Sequence, residues 1–166
     1  MDIIVAVDQN WGIGYAGTQP VVLPEDRKRF RDLTTGCTVI VGRKTLADFP
    51  GGRPLKNREN IIMSTNAALK IEGAEVVSGT PGVFEAIEGR DPRKVFVIGG
   101  ESVYRELLGH CLYAYVTKIL APFDADRFFP NLDEDKNWVL ESEGPILTQD
   151  GIGYRFLRYE NLLLTD

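Results

Sequence analysis

The chain has 166 residues, 43% of them apolar, with 19 Lys and Arg against 24 Asp and Glu and a formal net charge of −5. That size suits one compact domain over residues 1–166, and an acidic balance without a clustered basic excess speaks against a nucleic-acid surface. No apolar run approaches the ~20 residues of a membrane helix, the start Met1-Asp2-Ile3 has no basic region before its apolar run, and Cys37 and Cys111 indicate neither a disulfide framework nor a zinc site; a soluble, unsecreted, cytoplasmic protein without a metal is expected.

Ile3 to Val7 predicts a first strand. The glycine-rich segment from Trp11 to Gly17 follows, readable as a mobile lid or as a long connection. Pro24 to Thr34 then predicts a helix, with Pro at its first position and acids in its first turn. On it Asp26, Phe30 and Leu33 share one side, while Arg27, Lys28, Arg29 and Arg31 are expected to point mostly elsewhere. A carboxylate on an apolar helix face is either satisfied locally or meant for a ligand.

Strands are predicted at Thr38 to Val41, Asn60 to Met63, Glu75 to Val77 and Val95 to Ile98, and helices at Lys44 to Phe49, Pro81 to Ile87 and Glu101 to Leu108. Leu112 to Leu120, Trp138 to Glu143 and Tyr154 to Leu163 follow without a helical interruption, which suggests an antiparallel edge on a largely parallel α/β sheet.

Two strand-to-helix junctions carry possible chemistry. Val95 to Ile98 runs into Gly99-Gly100 and a helix near Glu101, an arrangement that presents backbone N–H groups to a phosphate or simply makes a tight turn. It is not the G-x-G-x-x-G fingerprint. Val39-Ile40-Val41 leads to Gly42-Arg43-Lys44-Thr45, where two cations and a hydroxyl could hold phosphate or cover a solvated helix start. Ser64-Thr65 ends the next strand. His110 is the only histidine, which excludes a histidine metal cluster and fits a structural helix end, and Cys37, inside a predicted strand, reads as an inert buried thiol.

Taken in order, Asp8 to Gly14, Leu23-Pro24-Glu25-Asp26, Gly42-Arg43-Lys44-Thr45, Arg53-Pro54-Leu55 with Arg58-Glu59-Asn60, Ile98-Gly99-Gly100 with Tyr104, Thr117, and Asp126 to Pro130 resemble the dihydrofolate reductase family over nearly the whole chain. The resemblance implies a mainly parallel, eight-stranded α/β sheet with an antiparallel edge and about four helices. It implies hydride transfer from NADPH to C6 of dihydrofolate with protonation at N5, giving tetrahydrofolate for one-carbon and thymidylate metabolism and making the family an antifolate target. The partners it implies are small molecules, with no nucleic acid and no membrane, and a monomer is expected.

By the same resemblance Asp26 is the catalytic carboxylate of the pterin pocket, its pKa raised by an apolar surround, with Thr117 bonded to it. Ile4, Val5, Phe30, Phe49 and Ile98 would wall the pocket, Arg58 would pair with the α-carboxylate of the glutamate tail, and Arg53 would stand at the mouth. Ala6 and the segment from Ile13 through Gly14, Gly17, Thr18 and Gln19 would close over nicotinamide and ribose. Lys44 and Thr45 would approach the pyrophosphate; Arg43, Ser64 and Thr65 would surround the 2′-phosphate. Gly99 and Gly100, joined by a cis peptide in the family, would lie against the cofactor, followed along the pyrophosphate by Glu101, Ser102, Val103 and Tyr104.

Two departures stand out. Val21 occupies the usual place of a Trp that retains water near the proton-transfer region, and valine donates no hydrogen bond. Glu101 and Ser102 stand where some members carry a cation, which points to a weaker cofactor preference. A reductase of another pterin or pyrimidine, or a folate- or nucleotide-binding protein with little turnover, is the alternative.

Overall fold

The computed structural model describes residues 1–14, 21–66 and 68–164. In chain order the elements are β1 (Asp2–Val7), β2 (Gly12–Gly14), α1 (Pro24–Thr34), β3 (Thr38–Gly42), α2 (Arg43–Leu46), β4 (Glu59–Met63), β5 (Ala74–Val77), α3 (Gly79–Ile87), β6 (Val95–Gly99), α4 (Glu101–Leu107), β7 (Tyr113–Ile119), β8 (Arg127–Phe128), β9 (Trp138–Glu143), β10 (Leu147–Gln149) and β11 (Ile152–Asn161). The predicted bounds of α1 hold at both ends: Pro24 opens it, and at Thr34 the hydroxyl turns back to donate to the Phe30 carbonyl at 2.7 Å. The second helix is shorter than its sequence pattern, ending at Leu46 rather than running to Phe49.

The main sheet runs β10-β11-β7-β1-β6-β3-β4-β5, with β9 also paired to β11. All pairs from β7 through β1, β6, β3 and β4 to β5 are parallel, and β11 is antiparallel to β7, β9 and β10, which is the expected antiparallel edge. Nine strands fill eight lateral positions, because β9 and β10 share the outer side of β11: Glu143 lies opposite Leu157 and Leu147 opposite Tyr154. A separate ribbon pairs β2 with β8.

Strand alternation decides which face is filled. Ile3, Val5 and Val7 point to one face and join Val97, Val116, Val83 of α3, and Val103 and Leu107 of α4 in the main core. The other face carries two smaller clusters. Leu23, ahead of α1, packs with Ile119 and Tyr154, and Leu46 of α2 packs with Val41 and Ile62. Between these clusters the alternate residues of the central strand, Ile4 and Ala6, are only half-buried, as is Ile98 beside them. A central parallel strand is ordinarily covered on both faces. Among the described residues the cover parts between α1 and α2, leaving a cleft.

Cys37 departs from its expectation. It sits in the bend before β3, half-buried, with its thiol 3.5 Å from the Leu33 carbonyl, because the strand begins one residue later. The buried thiol is Cys111, which burial pushes up to about 12. His110 is an exposed residue at the end of the turn after α4, edge-on to Phe84 at 4.9 Å.

Asp8 closes the end of β1: its carboxylate accepts from the backbone N–H groups of Asn10 and Gly12, both at 2.8 Å, and of Phe123 at 3.0 Å, tying the start of β2 to the loop after β7. Asp8→Ala deprives three donors of one acceptor and should destabilise the fold by about 2–3 kcal/mol, read as a lower urea midpoint at unchanged m-value.

Candidate active site

The cleft's carboxylate is Asp26, in the first turn of α1 and half-buried. Thr117 of β7 donates its hydroxyl to Asp26 Oδ1 at 2.6 Å. Thr117 is opposite Ala6 in the β1–β7 register, so the bond sets the carboxylate over the open face of the central strand. Burial pushes the Asp26 pKa above the ordinary carboxylate range, while the Thr117 hydrogen bond and the Arg29 cation pull it back. A carboxyl whose pKa is raised by burial keeps its proton to a higher pH than a free one.

Phe30 lies one turn beyond Asp26; Ile4, Phe49 and Ile98 are likewise half-buried, the last two packed against the Leu46 cluster. Val5 does not belong to it through its side chain, which alternation sends to the main core on the opposite face; only its backbone borders the cleft. Tyr104 is buried and donates its hydroxyl to the Ile4 carbonyl at 2.7 Å. A Cβ placed on Gly99 would stand 3.6 Å from that hydroxyl, so Tyr104 marks the boundary between the Asp26 end of the cleft and the glycines.

At the other end of α1, the Arg58 guanidinium is half-buried 5.8 Å from the Phe30 ring centroid. Its Nε donates to the fully buried Thr34 hydroxyl at 3.1 Å and its Nη1 to the Lys56 carbonyl at 2.8 Å. Asn60 holds the loop that carries it, accepting from Leu55 N–H at 3.0 Å and donating to the Leu55 and Arg58 carbonyls at 2.9 and 3.2 Å. Thr34 carried no sequence signal for this bracing role, and Asn60 entered only as part of a motif. Arg53 is exposed nearby in sequence.

The carboxyl ends of β6, β3 and β4 are adjacent, which brings Gly99-Gly100, Gly42 to Thr45, and Ser64-Thr65 to one edge, the usual ligand side of an open α/β sheet. Arg43 and Lys44 are exposed there, Ser64 is half-buried, and Thr65 is exposed. The Gly99–Gly100 peptide is cis, and Gly99 has φ +136°. A Cβ on Gly100 would come within 2.6 Å of Thr45 Oγ1, so the collision that requires glycine is first with the protein's own helix α2. Hydroxyls, two cations and close backbone approach at one edge suit a phosphate-bearing cofactor.

Two side chains expected here face elsewhere. Val103 is buried in the main core, with Cγ2 3.0 Å from where a Gly42 Cβ would stand. The Glu101 carboxylate accepts from Phe128 N–H at 2.6 Å while Arg105, one turn on, donates to the Phe128 carbonyl at 3.3 Å, so both are engaged by β8. Ser102 is exposed. Ile13 and Gly14 lie on β2, the Gly14 carbonyl accepting from Asp126 N–H at 2.8 Å. Gly17, Thr18 and Gln19 lie outside the described residues.

Val21 packs with the Leu23 cluster. Trp11 does not take over the position of the usual Trp: it stacks on Phe129, meets Tyr159 edge-on, and lies under the Lys118 ammonium at 4.5 Å, on the face of β7 opposite Thr117. Arg29 was expected to point away, but its half-buried guanidinium folds onto Phe156 and Tyr115 beside Asp26. The three-residue spacing from Asp26 was the signal that could have found it.

A family model described as dihydrofolate reductase matches residues 1–161. The chain belongs to the dihydrofolate reductase family. It is 38% identical over 162 residues to the dihydrofolate reductase of Bacillus subtilis, covering 96% of this chain and 94% of that one. The Heliothis virescens dihydrofolate reductase is 35% identical over 180 residues, covering 98% and 97%. Among solved structures, dihydrofolate reductase from Enterococcus faecalis complexed with NADP(H) and RAB-propyl superposes with a TM-score of 0.85 at 30% identity, covering 96% of this chain and 95% of that one.

Because the folded state holds Asp26 with a raised pKa, the unfolded chain gives up this proton first as pH rises, and folding is penalised across and above that window. Asp26→Asn removes the penalty. Its Tm should exceed that of the parent by a few degrees at neutral pH and converge with it in acid, below the ordinary carboxylate pKa, as calorimetry at stepped pH would show.

Proposed function

We propose that this protein reduces 7,8-dihydrofolate to 5,6,7,8-tetrahydrofolate with NADPH, and that the cleft between α1 and α2 is where it does so. The observation that carries the reading is a half-buried carboxylate fixed by Thr117 at 2.6 Å over the open face of the central strand. Asp26 offers two oxygens to an amino group and adjacent ring nitrogen of a pterin, a paired, charge-assisted contact that orients the ring. Its raised pKa lets it supply or hold the proton that N5 acquires. Thr117 keeps one carboxylate oxygen in place, and Phe30, Phe49, Ile4 and Ile98 exclude water from the ring and the adjoining benzoyl group.

NADPH, when bound, supplies the hydride that reaches C6. Ala6, Ile98 and Tyr104 would form the wall against its nicotinamide, with the Tyr104 hydroxyl held by Ile4. Lys44 and Thr45 would take the pyrophosphate at the edge where Gly99 and Gly100 allow close approach, and Arg43, Ser64 and Thr65 the 2′-phosphate, which would favour NADPH over NADH. Glu101, held by Phe128, contributes there by its backbone only.

Arg58, braced by Thr34 and Lys56, would present a planar fork to the α-carboxylate of the glutamate tail, with Arg53 at the mouth. This tail contact favours folate over a tail-less pterin or pyrimidine as substrate. The working unit in this reading is a monomer acting as one domain in the cytoplasm, where the two free cysteines fit a reducing compartment. No helix among the described residues is long and apolar enough to cross a membrane.

Loss of NADPH absorbance that requires both NADPH and dihydrofolate, and that an antifolate blocks, is the expected result with purified protein. Ligand binding without oxidation would favour the binding-protein reading that Val21 motivates. Asp26→Asn should lower kcat by about 10²–10⁴-fold at neutral pH with partial recovery in acid, where substrate arrives protonated. Arg58→Leu should raise KM for dihydrofolate by roughly 10–100-fold, the loss of a charge-assisted pair, while leaving tail-less dihydropterins unaffected; steady-state kinetics on the two substrates separates the cases.

A further inference from the structure

We infer that Arg29 is a positioning residue for Asp26: a fixed cation, locked between α1 and the sheet, that sets the pH range over which the cleft carboxyl takes up and gives back its proton. The inference rests on the role given to Asp26 above.

Arg29 follows Asp26 by three residues on α1, so the two side chains neighbour each other on the helix. Its guanidinium carbon lies 4.3 Å from the Phe156 ring centroid and 5.8 Å from that of Tyr115. Phe156 is the cross-strand partner of Thr117, the residue bonded to Asp26, and Tyr115 precedes Thr117 on the same face of β7. The rings therefore hold the cation beside the Asp26–Thr117 pair. Arg27, by contrast, is exposed. Arg29 borders an open surface depression that it shares with Glu25, Lys28, Asp32, Leu33 and Phe156. Other side chains can thus be accommodated at position 29 without displacing the core.

Among the described residues, the charges around the pair leave Arg29 as the cation that acts on it. On α1, Lys28 is taken by Asp32 at 2.7 Å, and exposed Glu25 is an acid that works in the opposite sense. The phenols that face Asp26 from other elements, Tyr154 of β11 and Tyr104 of α4, are both pushed upward by burial and stay neutral. Tyr115 stands between Arg29 and Arg158 of β11, whose own charge is held by Glu141. Coulombic attraction runs in both directions: Arg29 pulls the Asp26 pKa down against burial, and Asp26 favours the charged guanidinium. A guanidinium remains charged throughout the range in which a carboxyl titrates, so its field on Asp26 is constant with pH. A lysine placed here would keep the charge, and a glutamine would not.

The test is the pH dependence of the hydride-transfer step in Arg29→Gln, Arg29→Met and Arg29→Lys, with the Asp26 carboxyl titrated in parallel by NMR and folding checked by melting. Gln and Met should move both midpoints to higher pH, raising the rate on the alkaline limb roughly three-fold, the effect of losing one partly screened opposite charge. Lys should keep the parental midpoint. Folded Gln and Met variants with unmoved midpoints would overturn the inference, as would a Lys variant that shifts like Gln, since packing rather than charge would then be responsible. Asp26→Asn separates this from the assignment it rests on: a profile that loses the parental midpoint and keeps only the recovery in acid supports the role of Asp26, whereas a profile like the parent's overturns that role, and the NMR titration still decides whether Arg29 acts on the carboxyl.

Discussion

A hydroxyl from a strand meets a carboxylate from a helix at 2.6 Å, and the layout of the cleft depends on that contact. It joins the first turn of α1 to β7 at a point where the sheet's cover is open, and it keeps the Asp26 carboxylate within an apolar surround that would otherwise expel it. Burial and hydrogen bonding act on the proton in opposite directions, with burial the larger. The site is thus a compromise in which a destabilised charge is retained and aimed. The rest of α1 extends the arrangement: Phe30 lies one turn beyond Asp26, and Thr34 at the far end braces Arg58, so one helix of eleven residues positions both the carboxylate and the guanidinium.

Much of this was legible from the chain. The bounds of α1 follow from Pro24 and the periodic Asp26, Phe30 and Leu33, which are local signals. The parallel strands read as short apolar runs because both of their faces meet other elements, and the uninterrupted later strands marked the antiparallel edge. Gly99-Gly100 was recognisable as a junction, although its closest constraint is Thr45 of the protein itself. Elements of two or three residues, β2, β8 and β10, escaped because they are too short to show a period.

Side-chain direction was harder to read than backbone. Val5 and Val103 border the site in sequence yet face the core, since their orientation follows from strand alternation and helix packing rather than residue type. Glu101 is drawn to Phe128, a contact that bridges 27 positions and has no local signature. Arg29 looked like one of several surface cations on a basic helix. What separates it from Arg27 is a pair of rings on two strands more than eighty residues away, brought under it only by the fold.

The two sides of the sheet are built differently. One holds a continuous apolar core running from α3 and α4 beneath every central strand, and the other holds two islands with a gap between them. Sequence drift in a protein of this design should therefore be lopsided. Beneath the sheet, each substitution is judged by how tightly its neighbours pack. Along the gap, residues such as Ile4, Ala6 and Ile98 are only half-buried, and a larger or smaller side chain there reshapes the cleft before it threatens the fold. The fold can thus tolerate changes of ligand preference on one face because its stability is lodged on the other.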